Sequence, residues 1–299
     1  MRTIPVANSF EGPVYVEMIV SSTMDVSHDL AAGGAPHGTV VAADFQEAGR
    51  GRTGGRSWLG DAGDNLFFTL LLRYGSFASI PAALTLRTGL AVSLAIEDLV
   101  PALVGRVRIK WPNDVLILLP RGGRKLAGIL SETDGSTVFI GVGVNMRQRE
   151  FPPGLRRKAT SLSLSLRELG LEGIGGPGGP CSDSLETDSP PPGSPETGSD
   201  PRFVLLGLIL KRLHAEIEAP AAGGKGSVLC VPATAWRERL EERLYMRGEQ
   251  VRFIAGEADS GRIVEGTLQG IGPGGELLIL PRGGGGERAF VTGELDLYG

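Results

Sequence analysis

Cysteine and histidine are scarce in this chain: Cys181 and Cys230, then His28, His37 and His214, in 299 residues. Two cysteines cannot build a disulfide framework, and three scattered histidines have no metal-ligand spacing. A reducing cytoplasm is the expected location. Unbroken apolar runs are short, as at residues 66–72 and 203–210. They fall far below the ~20 residues that cross a bilayer, so no membrane span is expected. The opening stretch MRTIPVANSFEGPVYVE lacks the apolar centre of a secretory signal. An excess of one charge is missing too, with 30 basic residues against 34 acidic and a net charge of −4. General nucleic-acid binding needs many phosphate contacts, and this balance argues against it.

What the chain has in quantity is glycine, 46 residues or about 15%, near twice the usual share. Hydrophobic residues make up 41% and charged ones 21%, the composition of a folded chain. Residues 14–20, 39–45, 66–72, 106–110, 115–119, 126–130 and 138–144 are short, β-rich and bounded by turn residues. Between them, residues 81–100 repeat Leu84, Leu86, Leu90, Leu94 and Ile96 at helical spacing. Strands in meanders with few interrupting helices predict an α+β fold rather than a doubly wound parallel sheet. Residues 171–202 hold glycine, proline, serine and acids but little to bury, and read as a flexible insertion. Two amphipathic segments follow, at 203–217 and 233–245. From residue 249 short strands with Gly-rich turns predict a small β-barrel. The expected division is a catalytic domain over 1–245 and the barrel over 246–299.

Three segments carry chemistry. The first is QEAGRGRTGGRSW, residues 46–58, directly after a strand. Its glycines let backbone approach an oxyanion, and Arg50, Arg52 and Arg56 offer forked donors suited to carboxylate and phosphate. No Lys-Ser/Thr pair follows, so it is not a GxxxxGKT phosphate loop. Alone, it reads equally as a solvated basic loop or an RNA contact. The second is KWPND at 110–114 with KLAGI at 125–129. If the intervening strands pair as a hairpin, Lys110 and Lys125 reach the same end of the sheet, forming with the arginines a pocket for an anionic ligand. The third is GVGVNM, 141–146, a strand ending in small residues and an asparagine amide.

In this order, from Ser22-Thr23 through the GRGR loop, Trp58, KWPND, KLAGI and GVGVNM, the segments resemble the biotin–protein ligases, specifically the form without an amino-terminal DNA-binding domain. The resemblance covers nearly all the chain outside residues 171–202. It implies a mixed-sheet catalytic domain of the biotin/lipoate ligase type with a small carboxy-terminal barrel. It also implies an ATP-dependent ligase that forms biotinyl-5'-AMP and transfers biotin to a lysine of a biotin carboxyl carrier protein. The family's roles carry over to Ser22, Thr23 and Gln46 at the biotin ring, Gly49 and Arg50 over its carboxylate, and Gly128 in the pocket wall. Arg52 falls at the phosphates, Trp58 and Asn145 near adenine, and Lys110 and Lys125 between carboxylate and phosphate. Asn113 and Asp114 lie near the reaction centre, with Asp114 a candidate magnesium ligand.

Arg56 lies one residue further along than the family pattern and is a nucleotide-binding candidate. Met24 stands where the family often has asparagine, and the arginine often found near Tyr298 is absent, which puts a barrel contact with nucleotide in doubt. ATP, magnesium and biotin are the implied ligands, and a homodimer is an open possibility. Residues 49–55 are expected to order over bound ligand. A lipoate–protein ligase shares the adenylate logic, and a non-enzymatic RNA-binding protein is the alternative of a different class. Few residues precede the first strand, which disfavours a DNA-reading repressor.

Overall fold

The computed structural model describes residues 1–52, 58, 60–155, 158–171, 200–218, 235–256 and 261–296. Arg56, Tyr298, both cysteines and nearly all of the expected insertion lie outside the described residues.

An eight-stranded mixed sheet forms the larger part, built from β1 (Arg2–Thr3), β2 (Val14–Val20), β3 (Val40–Gln46), β4 (Asn65–Arg73), β5 (Val107–Lys110), β6 (Asp114–Leu119), β7 (Gly122–Asp134) and β8 (Thr137–Asn145). Its spatial order is β1-β2-β3-β4-β8-β7-β6-β5. Only β2 and β3 run parallel, joined through α1 (Thr23–Ala32), and the other pairings are antiparallel. This is the expected α+β architecture. β4 is buried along eight of its nine residues, as its unbroken apolar run requires of a strand covered on both faces. β8 alternates instead. Val138, Ile140, Val142 and Val144 enter the main core, while Phe139, Gly141 and Gly143 face the side that carries α1.

The core side is closed by α2 (Leu84–Leu99) and α4 (Pro201–Ile217), with α3 (Leu162–Glu168) at its margin. Residues Phe77–Leu99 are long and apolar enough to cross a membrane by length and composition, which counting unbroken runs passes over. In the fold Leu90, Ala91, Val92, Ala95 and Ile96 of this stretch are fully buried against the sheet, the environment of a core helix.

The carboxy-terminal part is a five-stranded antiparallel sheet, in the order β12 (Arg288–Phe290), β11 (Leu277–Pro281), β10 (Arg262–Ile271), β9 (Gln250–Ala255), β13 (Gly293–Asp296). This antiparallel sheet is the small carboxy-terminal β unit expected from the sequence, and among the described residues its edge strands β12 and β13 are not paired. Its apolar face is covered by the larger part. Val251, Phe253, Leu268, Leu277, Ile279 and Leu295 pack with Leu86, Leu90, Ile109 and Trp111 of the larger part. Trp236 and Leu240 of α5 (Ala235–Arg243) join the same cluster. Trp111 is 2% exposed, and its Nε1 donates to the Gly275 carbonyl at 3.0 Å. It bolts the two sheets together.

At the start of α4, Asp200 caps the helix and binds Arg202 through both carboxylate oxygens. The Arg202 Nη1 donates to Asp44 of β3 at 2.7 Å. Burial alone raises the Asp200 carboxyl, but the hydrogen bonds and charge of Arg202, then the charge of Arg147, more than reverse it and hold it below the ordinary range. A depressed carboxyl contributes stability above its unfolded value and loses it as pH falls toward the folded one. Asp200→Asn is expected to cost about 1–3 kcal/mol at pH 7. It should also flatten the acid limb of stability below about pH 4, read by denaturant titration across pH.

Candidate active site

The register of the large sheet lays out the site. Lys110 stands opposite Asp114, Asp114 opposite Gly128, Gly128 opposite Gly143, and Gly143 opposite Phe67. Directly paired residues share a face, so this row runs across five strands on the side that carries α1. A second row, Thr69, Gly141 and Leu130, lies beside it. The two glycines of β8 leave a floor on which ring systems can lie.

Lys125 reaches this floor through an irregularity. Val115 pairs with Ala127 but Leu116 pairs with Lys125, so Leu126 is an extra residue in β7. Without it, strict alternation from Gly128 would point Lys125 into the core. The bulge reverses the alternation, sending Leu126 into the core and Lys125 to the cleft. There Lys125 Nζ lies 2.6 Å from Asp114 Oδ1 and 5.1 Å from the Trp58 ring.

Trp58 covers the floor. A Cβ added to Gly128 would sit 2.6 Å from the indole, and one on Gly143 would sit 2.8 Å from it. Both positions must be glycine for the ring to lie there. Phe67 meets the indole edge to face with centroids 6.4 Å apart, and Trp58 Nε1 is buried without a hydrogen bond.

The far end of the cleft is polar and uncharged. Thr23 donates to Gln46 Oε1 from its backbone nitrogen at 2.9 Å and from its hydroxyl at 3.1 Å. Thr69 in turn donates to the Thr23 hydroxyl at 2.9 Å. A backbone N–H can only donate, so the Gln46 oxygen must face Thr23 and its Nε2 is turned elsewhere, toward Gly49. Ser22 caps α1 by accepting from the Met24 nitrogen, which leaves its own O–H able to donate. This end therefore offers the O–H of Ser22 and the amide N–H groups of Gln46. The Met24 side chain packs over Gly141 and closes the wall with carbon and sulfur.

Together these residues line one open cleft. Ser22, Thr23, Gln46, Arg50, Arg52, Trp58, Asn113, Lys125 and Gly128 all border it, and Gly49 lies behind Gln46. Two further sequence candidates, Lys110 and Asn145, do not border the cleft, and Asn113 at its edge has its amide engaged. Lys110 is on the row but buried, with Nζ 3.7 Å from Glu294 Oε1 of β13. Asn113 donates its side-chain amide to the Ile129 carbonyl at 2.9 Å, clamping the β5–β6 turn to β7. Asn145 donates to the Thr160 carbonyl at 3.0 Å and is 4% exposed.

Thr69 and Glu294 are not candidates on sequence grounds. The first is betrayed only as a polar residue inside NLFFTLLLR; the second lies far along the chain, where nothing local marks it. Arg52 also reaches the second sheet, its Nη2 donating to the Gly293 carbonyl at 3.1 Å. That sheet therefore contacts two of the cations even though the expected arginine near Tyr298 is absent.

Residues 15–145, which hold every strand of this floor, match the Biotin/lipoate A/B protein ligase family model. The chain is similar to the bifunctional ligase/repressor BirA of Bacillus subtilis, 40% identical over 157 residues, half of this chain and 46% of that protein. It is also similar to the biotin–[acetyl-CoA-carboxylase] ligase of Mycobacterium tuberculosis, 38% identical over 152 residues, 48% of this chain and 53% of that one. The chain thus spans about half the length of the curated relatives it matches. Among solved structures, the biotin protein ligase of Aquifex aeolicus in complex with biotin and ATP superposes with a TM-score of 0.64. It is 26% identical, and the match covers 96% of this chain and 98% of that one.

Proposed function

We propose that this chain is an ATP-dependent biotin–protein ligase. It activates biotin as biotinyl-5'-AMP and transfers it to a lysine of a biotin carboxyl carrier domain. The observation that carries the reading is the pairing, in one cleft, of neutral donors on Ser22 and Gln46 with the cations Lys125, Arg50 and Arg52. A ureido carbonyl suits the Ser22 O–H and Gln46 N–H groups. A dithiolane ring has no comparable acceptor and would leave those donors unpaired, which favours biotin over lipoate.

Adenylation brings a carboxylate against the α-phosphate of ATP, and pyrophosphate leaves. The two anions repel, and Lys125, Arg50 and Arg52 supply the compensating charge where they meet. Lys110, on the same row, extends that charge toward the second sheet. The acceptor amine then attacks the mixed anhydride and AMP leaves. Asp114 holds Lys125 and is the carboxylate we assign to this step.

Among the described residues no group of three or more acidic, histidine or cysteine side chains can hold a metal ion, and Asp114 already binds Lys125. Magnesium is read here as arriving with ATP as the MgATP substrate, with Asp114 the carboxylate in reach of it.

The reading is tested by incubating the chain with MgATP, labelled biotin or lipoate, and a purified biotin carboxyl carrier domain. Biotin is expected on a single carrier lysine, and exclusive lipoyl transfer contradicts the proposal. Gly143→Ala is expected to push the indole from the floor and weaken biotin binding by on the order of tenfold, read by calorimetry.

A further inference from the structure

Each described cation of the cleft is held by the protein itself. Asp114 holds Lys125, Glu294 faces Lys110, the Gly293 carbonyl accepts from Arg52, and Asp25 holds Arg50. Asp25 stands apart because it comes from α1, the helix that also brings Thr23 to the cleft. It lies in the first turn, just past Ser22 and Thr23.

The Asp25 carboxylate is fixed from both sides. Oδ1 accepts from Arg50 Nη2 at 2.5 Å, and Oδ2 accepts from the Ser21 hydroxyl at 3.2 Å. The contact uses one N–H of Nη2, so the other N–H of Nη2, together with Nε or Nη1, stays able to grip a second carboxylate. Arg50 sits between Gly49 and Gly51, so its own backbone restrains it little. A side chain with that freedom needs an anchor if it is to wait over the cleft in one orientation.

We infer that Asp25 is a positioning residue for adenylation: it ties Arg50 to α1 and aims the remaining guanidinium edge at the carboxylate of the bound acid. The inference rests on the ligase reading above. A different role for Asp25, that of an internal competitor occupying Arg50 until substrate displaces it, predicts the opposite sign. Asp25→Asn removes a negative charge beside the entry path of an anionic substrate, and by charge alone that substrate would bind better. Positioning requires that it bind worse.

The experiment is steady-state biotinyl-adenylate formation by the full chain at saturating MgATP with biotin varied, for wild type, Asp25→Asn, Asp25→Glu and each in an Arg50→Ala background. Asp25→Asn is expected to raise the biotin KM about two- to fivefold, the scale of an exposed ion pair, with little change in kcat. Asp25→Glu should recover part of the loss. With Arg50 replaced, the Asn substitution should no longer move KM, which a merely structural role for Asp25 would not produce. An unchanged or lowered KM in Asp25→Asn, with an active wild type, overturns the inference and leaves the ligase reading standing. A KM rise that persists in the Arg50→Ala background also overturns it. A wild type that makes no adenylate overturns both.

Discussion

Lys125→Ala is expected to slow biotinyl-adenylate formation by about 10²–10³, the usual cost of deleting one preorganised electrostatic donor. Three features make this residue the most sensitive of the cations. The bulge at Leu126 exists in the register only to the effect of turning Lys125 out of the core. Its ammonium stands over the Trp58 ring and beside the glycine floor. Its removal also leaves Asp114, now 2.6 Å from the ammonium, as an uncompensated negative charge facing two anionic reactants. Lys125→Ala combined with Asp114→Asn should therefore recover part of the lost rate. Single-turnover quench-flow measures both, and a Lys125→Ala enzyme within threefold of wild type would contradict this role.

Trp111→Ala is expected to cost about 3–5 kcal/mol, the range for emptying a buried tryptophan site. Trp111 packs edge to face on Phe253 with centroids 5.7 Å apart and donates to the Gly275 carbonyl, so its loss opens a cavity at the junction of the two sheets. Arg52 and Lys110 both lean on β13, so the variant should lose nucleotide affinity along with stability. Guanidinium titration followed by two probes tests this. The expected result is a lower midpoint with the second sheet's transition separating from the first, and a single unchanged transition would count against the bolt.

Much of this was legible in the chain itself. The seven β-rich segments are all strands, because each pairs apolar alternation or an apolar run with turn residues at its ends. β7 is longer than its apolar centre, since Gly122–Lys125 and Ser131–Asp134 need no burial to pair with their neighbours. α1 carried no readable helical signal: TMDVSHDLAA has few apolar residues, and the helix is held by its Ser22 cap and by Met24 packed on Leu71 and Phe139. The glycines of GVGVNM were visible, but their purpose needed the register that places Gly143 beside Gly128 under one indole. Glu294 was out of reach, because an ion pair between distant segments leaves no local pattern.

The central claim is that the cleft gathers a neutral hydrogen-bonding ring, a carboxylate and a nucleotide on one glycine floor. Acid-quenched mass spectrometry of the chain incubated with MgATP and equal amounts of biotin and lipoate tests it most directly. Biotinyl-5'-AMP with matching pyrophosphate, and no lipoyl-AMP, is the expected result. Lipoyl-AMP in its place, or neither adenylate, would contradict the account.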